Sequence, residues 1–392
     1  MRILEINKFY YPRRGAERHF LDLIDLLRQQ GHQVAVFTMD DARNVARAYE
    51  QYFVSPVGYT DGEATLWQQV KGIGRLFWSF EARRKLAALL DEYRPDVVHI
   101  HNIYHQLSLS ILPIIKQRGI PIVMTAHDYQ SVSPDKDRYY ESVGQAYWKF
   151  LFVKKYAFGK RLLLVLKMYW ERCFRFYEQS VDRYIAPSEF CKNILIQGGV
   201  VPEKITVLPH FIPAVSVRPL PDVAPESRGY ALYFGAVSAE KGVTELVRMF
   251  DHLRYPLIVA GSSEEGFVLP ESKWVRSVGQ QSQDALHRLI DEAAFVVSGS
   301  LLPETFGLII LEAFSRGKPF FGLHAGAFAE IVTNGKNGYI AQDWAALDAH
   351  IREYLDRKIC LSDAATIQRQ ALERFGALGY YRRLGPLFEA RF

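Results

Sequence analysis

Cysteine is scarce and poorly spaced for chemistry. Three cysteines (Cys173, Cys191 and Cys360) in 392 residues are odd in number and form no Cys-x-x-Cys pair. That argues against a disulfide framework or a zinc site and leaves them to read as small buried hydrophobes. No apolar run approaches the ~18 residues needed to cross a bilayer. Met1-Arg-Ile-Leu-Glu-Ile opens as a strand rather than a signal peptide, so the expectation is a cytoplasmic protein. Neither sign of charge is in marked excess: 48 Lys and Arg against 43 Asp and Glu leave +5. That balance does not by itself imply nucleic acid, but it permits an anionic membrane surface or phosphorylated ligands.

What is present points to two α/β halves. The chain is longer than one core usually holds, and 49% apolar with 23% charged residues is ordinary for a soluble globular protein. Arg2 to Ile6 reads as a strand, followed by a loop through Pro12–Glu17 and a helix with Phe20, Leu23, Ile24 and Leu27 at helical spacing. Gly31 stops that helix and Val34 to Thr38 is the next strand. This β-loop-α-β order indicates a Rossmann-like half, although the loop is not Gly-x-Gly-x-x-Gly. Gly15 and Ala16 at its end could still let their amides approach a phosphate, or could form an ordinary tight turn. Strands ending at His101-Asn102 and at Ala126-His127-Asp128 place polar groups at strand carboxyl ends, where open α/β sheets bind ligands. Pro209 to Arg228 is Pro-rich and without helical periodicity, and reads as a linker. A second half restarts at Tyr230–Phe234, followed by Gly235-Ala236 and Lys241. The domains are then 1–208 with about 380–392, a linker 209–228, and 229–379.

Within the second half, Ser298 to Gly317 concentrates the chemistry. An apolar strand from Ala293 to Val297 leads into a loop with Pro303, Glu304 and Gly307. A helix then carries Leu308, Leu311, Glu312 and Ser315 at i, i+3, i+4 and i+7. Free N–H groups at such a helix start can hold an anion between the two carboxylates. Were the whole interval helical, the two glutamates would stand about 12 Å apart, farther than the roughly 5 to 9.5 Å of paired glycosidase carboxyls. That favours two carboxylates gripping separate hydroxyl clusters of an extended ligand. The plain structural alternative is a loop glutamate meeting its own helix dipole, with a solvated second one.

Pro-Glu-Thr-Phe-Gly-Leu-x3-Glu-Ala resembles the Glu-x7-Glu signature of glycosyltransferase family 4, retaining nucleotide-sugar enzymes with the GT-B fold. The resemblance implies two Rossmann-like domains facing across a cleft and a last helix, Tyr380–Phe392, crossing back to the first domain. It also implies that Glu304 approaches the donor sugar, that Glu312 binds the ribose hydroxyls, and that the Thr305, Phe306, Gly307 and Leu308 backbone holds the diphosphate. His127 would contact the sugar near the reacting carbon. Lys241, after Gly235, would neutralise the diphosphate, and Gly279-Gln280 would read the base through the backbone. The implied catalytic set is His127, Lys241 and Glu304, with the departing diphosphate as base and no metal or other cofactor. The chain departs from the family in three places. Ala236 stands where an arginine is usual, Gly15-Ala16 replaces a Gly-Gly pair, and no cysteine cluster follows His127.

The 14% aromatic content gathers between Tyr147 and Phe176 with eight basic residues and a single acid, Glu171. On a helix such a stretch fits the membrane interface. The alternatives are a helical hairpin with its aromatics in a core and, less in keeping with a sugar nucleotide, a single-strand nucleic-acid groove. Trp148, Lys154, Lys155, Lys160 and Arg161, with His101 and Asn102, are the candidates for acceptor or membrane contact. The expected partners are a nucleotide-sugar donor, a saccharide or lipid-linked acceptor and an anionic membrane surface on the inner face of the cell membrane, with no nucleic acid. Two rivals stand beside a glycosyltransferase: a GT-B sugar-nucleotide epimerase and a non-catalytic sugar-nucleotide-binding subunit.

Overall fold

Twelve short strands, most of them buried on both faces, organise the computed structural model, which describes residues 1–56, 74–104, 106–135, 146–217, 219–220 and 229–390. Near-continuous apolar runs such as Leu232–Phe234 and Phe295–Val297 are what a parallel sheet covered by helices on both faces requires. The chain divides into a unit of residues 1–208 joined by the segment from Tyr381 onward, and a unit Pro209–Tyr380. Part of the linker expected at 209–228 (residues 218 and 221–228) and the last two residues lie outside the described set.

In unit 1 the strands are β1 (Arg2–Ile6), β2 (Gln33–Phe37), β3 (Val97–Ile100), β4 (Ile122–Thr125), β5 (Arg183–Ala186) and β6 (Ile205–Val207), all parallel in the order β2-β1-β3-β4-β5-β6. Its helices are α1 (Gly15–Gln29), α2 (Phe80–Tyr93), α3 (Leu112–Lys116), α4 (Phe158–Cys173), α5 (Phe176–Ser180) and α6 (Glu189–Gln197). α1 buries Phe20, Leu23, Ile24 and Leu27, the face its periodicity marks. Ser188 caps α6 by accepting the Cys191 N–H.

Unit 2 holds β7 (Ala231–Phe234), β8 (Leu257–Ala260), β9 (Val275–Gly279), β10 (Phe295–Ser298), β11 (Phe320–Leu323) and β12 (Gly338–Ala341), parallel in the order β12-β11-β10-β7-β8-β9. Its helices are α7 (Val243–Leu253), α8 (Gln283–Glu292), α9 (Leu308–Phe314), α10 (Phe328–Ile331), α11 (Trp344–Leu355) and α12 (Ala364–Phe375). A final α13 (Ala377–Glu389) leaves unit 2 for unit 1. There the Tyr381 hydroxyl meets His32 Nε2 at 2.8 Å, Arg383 donates to the Val207 carbonyl, and the Phe388 ring packs 5.3 Å from that of His99.

Four expectations need correction. The last helix starts at Ala377, not Tyr380, because the extended backbone of Gly376 ends α12 just before it. α9 ends at Phe314, one residue before Ser315, the last position of the expected pattern, which serves as its C-cap; Gly317 turns the chain at φ +64°. Only Cys191 is a buried small hydrophobe, whereas Cys173 and Cys360 are exposed. The basic-aromatic stretch is not one helix. A 3₁₀ segment (Tyr147–Phe152) breaks before α4, and the stretch is two-sided: Tyr147 and Phe150 pack on Val165 and Met168 while Phe152, Phe158 and Leu166 face outward.

One close backbone approach locks the loops of unit 2. Gly242, at φ +66° before α7, has the Gly299 carbonyl where a Cβ would sit, 1.9 Å away. The Leu301 N–H donates to the Glu240 carbonyl at 3.0 Å and stitches the same two loops. Gly242→Ala would combine left-handed strain with overpacking, for a loss of about 2–4 kcal/mol. Urea denaturation should show that loss as a lower midpoint; an unchanged midpoint would mean the two loops do not press on each other as described.

Candidate functional site

Unit 2 reverses strand order between β7 and β10, whose neighbours run outward to β9 and β12. Loops leaving such a switch point diverge and open a crevice at the strand carboxyl ends. The loop after β7 carries Gly235, Ala236 and Lys241; the loop after β10 carries Ser300, Glu304 and Gly307. The structure brings their side chains together. Lys241 Nζ lies 2.6 Å from Glu304 Oε1, and the Ser300 hydroxyl donates to that same oxygen at 2.7 Å. Both charged side chains keep about a quarter of their surface exposed (26% and 23%), so a ligand can reach them.

The Glu304 backbone is fixed from the other side. Gly326, at φ +58°, lies where a Cβ would meet the Glu304 carbonyl oxygen at 2.3 Å, and the Ala327 N–H donates to that oxygen at 3.0 Å. Behind the cluster the Tyr233 hydroxyl donates to the Ala236 carbonyl at 2.5 Å. Burial, reinforced by Glu304, pushes this phenol well above its ordinary range, so it remains a donor. Gly307 caps α9 at φ +123°, and Thr305 and Leu308 are half-buried beside it. Phe306 points inward: its ring is 3% exposed and packs edge-on to His210 at 5.1 Å and Phe375 at 6.1 Å. Only its backbone is placed to meet a ligand. Glu312 is half-buried on α9. Gly279 and Gln280 are exposed at the end of β9, two strands from β7 at the sheet edge.

Unit 1 has its own reversal, between β1 and β3, and there the structure adds residues that sequence reasoning missed. Glu5 pairs in register with His99, and His101 follows two residues on, just past the end of β3 where its N–H still donates to the Ile6 carbonyl, so its side chain faces the same way. Glu5, His99 and His101 are all within 1% of complete burial. Glu5 Oε2 lies 3.0 Å from His99 Nδ1 and 2.9 Å from His101 Nε2; His101 Nδ1 lies 2.7 Å from His127 Nε2, and His99 Nε2 lies 2.8 Å from the Thr125 hydroxyl. Phe20 of α1 and Phe388 of α13 cover the two buried rings, and His19 of α1 packs 5.6 Å from the half-buried His127 ring. The sequence signal that could have found this group is a lone acid inside an apolar strand, with two histidines in alternation on another.

The remaining candidates of unit 1 are placed separately. The Asn102 N–H donates to Asn7 Oδ1 at 3.0 Å and its carbonyl accepts from the Lys8 N–H, which ties the β1 and β3 loops together. Gly15 and Ala16 open α1, where the buried carboxylate of Glu17 already accepts the Arg14 N–H at 3.2 Å. Trp148, Lys154, Lys155 and Lys160 are exposed, while Arg161 donates to the Leu151 carbonyl. Among the described residues, Glu5, His99 and His101 are the group whose ligand atoms are close enough for a metal ion, within 4.8 Å. Those atoms are already engaged in the hydrogen bonds above.

Comparison with known proteins agrees with this architecture. Residues 13–214 match the model of "Glycosyltransferase Family 4" and residues 221–373 that of "Glycosyl transferases group 1". An O-antigen chain mannosyltransferase B of Escherichia coli is 28% identical over 201 residues, 45% of this chain and 52% of that one. A sulfoquinovosyl transferase of Arabidopsis thaliana is 21% identical over 356 residues, 86% and 62% of the two chains. The chain thus spans roughly half to three fifths of the length of these curated relatives. Among solved structures, HepE of Anabaena in complex with UDP and glucose superposes with a TM-score of 0.66 at 18% identity, covering 99% of both chains. A sucrose-phosphate synthase of Thermosynechococcus elongatus gives 0.69 at 17% identity, covering 99% and 98%. At these identities the likeness shows the fold, which is GT-B.

The buried network also sets the response of unit 1 to acid. Burial, and behind it His99, pulls His101 down to about 4, the neighbouring Glu5 opposing. Burial raises Glu5, but His99 and His101 together outweigh it and hold the carboxyl at about 2. Between pH 6.5 and 4 the unfolded His101 takes up a proton that the folded one refuses, so stability falls as pH falls. Below about pH 4.5 the stability contributed by ionised Glu5 is lost in turn as pH drops toward 2. Thermal midpoints should therefore decline from pH 6.5 downward. His101→Asn should make the slope between 6.5 and 4 shallower by up to about 1.4 kcal/mol per pH unit; an equal slope in both proteins would contradict the assignment.

Proposed function

Because the chain belongs to glycosyltransferase family 4, we propose that it transfers a glycosyl group, with retention, from a nucleoside-diphosphate sugar to a saccharide acceptor that is lipid-linked or membrane-proximal. The observation that carries this reading is the Lys241–Ser300–Glu304 cluster at the β7/β10 reversal. Lys241 supplies a cation for the diphosphate, and the Thr305–Leu308 amides supply aligned donors. Glu312 accepts from the ribose hydroxyls, and Gly279-Gln280 faces the base. Glu304, oriented by Ser300, approaches the sugar. The bond from the anomeric carbon to the diphosphate breaks while the acceptor oxygen bonds on the same face. The acceptor's hydroxyl proton passes to a diphosphate oxygen. Lys241 and the backbone dipoles, rather than a metal, stabilise the charge that develops. The UDP and glucose bound by HepE and the O-antigen mannosyltransferase of Escherichia coli support the donor class and a role in cell-surface polysaccharide synthesis. Ala236 in place of the usual arginine favours a second reading, a subunit that binds the sugar nucleotide without turning it over.

α4 supports the membrane part of the proposal. Phe158, Leu162, Leu166 and Tyr169 line one exposed face at spacings of four, four and three, with Trp148, Phe152 and Phe174 also exposed (38–73% for the set). Exposed Lys149, Lys154, Lys155, Lys160 and Arg175 accompany them, while Lys167 is withdrawn into an interior pair with Glu171. Apolar side chains beside cations fit an anionic bilayer surface. No helix among the described residues is long and apolar enough to cross a membrane, so the contact proposed is peripheral.

A thermal-shift screen of UDP-, GDP- and ADP-sugars should find one base that raises the midpoint. Glu312→Ala should then weaken nucleotide binding, while Glu304→Ala should cost turnover at least about a hundredfold at little cost in binding. Full activity in both variants would overturn the site. Donor binding without transfer or hydrolysis across a broad acceptor set would favour the binding-subunit reading. For the membrane contact, Phe158→Ser combined with Lys154→Ala, Lys155→Ala and Lys160→Ala should release the protein from vesicles containing phosphatidylglycerol. Unchanged flotation with the vesicles would remove that part of the proposal.

A further inference from the structure

We infer that a cavity on the inner flank of α4 is the headgroup pocket of an anionic phospholipid with a glycerol head: the glycerol hydroxyls reach Glu171 Oε2 inside, and the phosphodiester stays at the rim on Arg172. The inference rests on the reading above that α4 meets an anionic bilayer, and it adds which lipid that contact selects.

The cavity belongs to unit 1 and is separate from the histidine network. Met168, Glu171 and Arg172 of α4 line it, with Tyr147 of the 3₁₀ segment and Tyr184 of β5. Glu178 and Val201, also in its wall, lead into β5 and β6. That puts the space toward the strand amino ends, whereas His101 and His127 follow strand carboxyl ends. The cavity measures about 50 Å³. One water needs about 10–15 Å³ of such space, so the glyceryl part of a lipid head fits and a whole sugar ring does not.

Its polar lining is incomplete. Lys167 Nζ meets Glu171 Oε1 at 2.5 Å inside the protein, but Glu171 Oε2 is buried with no hydrogen-bond partner among the described residues. A buried carboxylate oxygen left without a donor is costly, so the position calls for an O–H or N–H group. Burial pushes the Tyr147 phenol up to about 12 and that of Tyr184 well above its ordinary range. Both therefore stay neutral hydroxyls, able to give or accept a hydrogen bond. Around the cavity three cations, Lys167, Arg172 and Lys204, stand against two carboxylates, Glu171 and Glu178. That balance disfavours an ammonium head and suits neutral hydroxyls followed by an anion.

The rim connects to the face proposed to meet the bilayer. Glu171 is nine residues from the exposed Leu162, about 180° round α4, while Arg172 is three from the exposed Tyr169, about 60° round. Arg172 thus borders both the cavity and the outward face. It donates through Nη1 to Glu178 Oε1 at 2.6 Å, and 36% of its side chain stays exposed to meet a phosphate. Phe174 follows two residues on and Trp148 adjoins Tyr147, both exposed, so acyl chains leave the rim onto apolar side chains. A methyl phosphodiester carries the same charge as the glycerol one but leaves Glu171 Oε2 without its partner.

The test is flotation of the full chain with phosphatidylcholine vesicles that carry either phosphatidylglycerol or phosphatidylmethanol at the same anionic fraction. The wild type should bind the phosphatidylglycerol vesicles at least about tenfold more tightly. Lys167→Met combined with Glu171→Met removes the acceptor by replacing a buried ion pair with apolar chains, a change that folds tolerate. It should lower binding of phosphatidylglycerol vesicles to the phosphatidylmethanol level. Val201→Trp, at an exposed position in the wall, should fill the cavity with the same result, and serves if the double variant does not fold. Free glycerol phosphate, a head without chains, should leave the preference intact. Equal binding of the two lipids by the wild type, or a preference that survives both variants, overturns the inference and leaves the membrane contact standing. A preference abolished by glycerol phosphate overturns the lipid assignment in favour of a soluble phosphate ester. No flotation with either vesicle defeats the membrane reading itself, and the lipid pocket with it.

Discussion

The contact at the centre of the candidate site in unit 2 is the meeting of Lys241 with Glu304 at 2.6 Å. A partly exposed ion pair of this kind is worth only about 0–1 kcal/mol to the fold, so it cannot be what holds the loops in place. The backbone does that. Strand order reverses between β7 and β10, Gly242 presses against Gly299, and Gly326 presses against Glu304. Lys241 and Glu304 are thereby placed before any ligand arrives, and their mutual attraction substitutes for partners that a phosphate and a sugar would supply. Preorganised charge of this sort costs little reorganisation when the ligand binds.

Unit 1 solves a different problem with the same topology. Its reversal between β1 and β3 brings Glu5 against His99 and His101, but inside the protein, where an unpaired carboxylate would be costly. Every oxygen–nitrogen contact in the group is satisfied by another member, and α1 and α13 keep water out through Phe20 and Phe388. A buried network so fully satisfied specifies one arrangement of its rings. The partly exposed His127 joins the network through His101 Nδ1, 2.7 Å from its Nε2.

Much of this was legible in the sequence, for identifiable reasons. Strand and helix periods gave both α/β halves, the rule that ligands gather at strand carboxyl ends picked out His101, Asn102 and His127, and the family resemblance picked out Lys241 and Glu304. What stayed hidden depends on register between distant segments. Glu5 and His99 are 94 residues apart, and no local spacing reveals that β1 and β3 place them opposite each other. No local pattern marks Ser300, whose hydroxyl the turn after β10 aims at Glu304. The cysteines misled because composition does not say which helix face a residue occupies: Cys173 falls on the outward face of α4 and Cys191 on the inward face of α6. In the basic-aromatic stretch the i, i+4 spacing of Lys167 and Glu171 was the readable hint that part of the charge turns inward.

The central claim, that the Lys241–Glu304 cluster is built to receive a nucleoside diphosphate, is tested most directly by calorimetric titration of free UDP, GDP and ADP, and of the matching monophosphates, into wild type and Lys241→Met. The account predicts that one diphosphate binds the wild type and loses at least tenfold in affinity in the variant, while its monophosphate changes far less. Equal diphosphate affinity in the two proteins would contradict it.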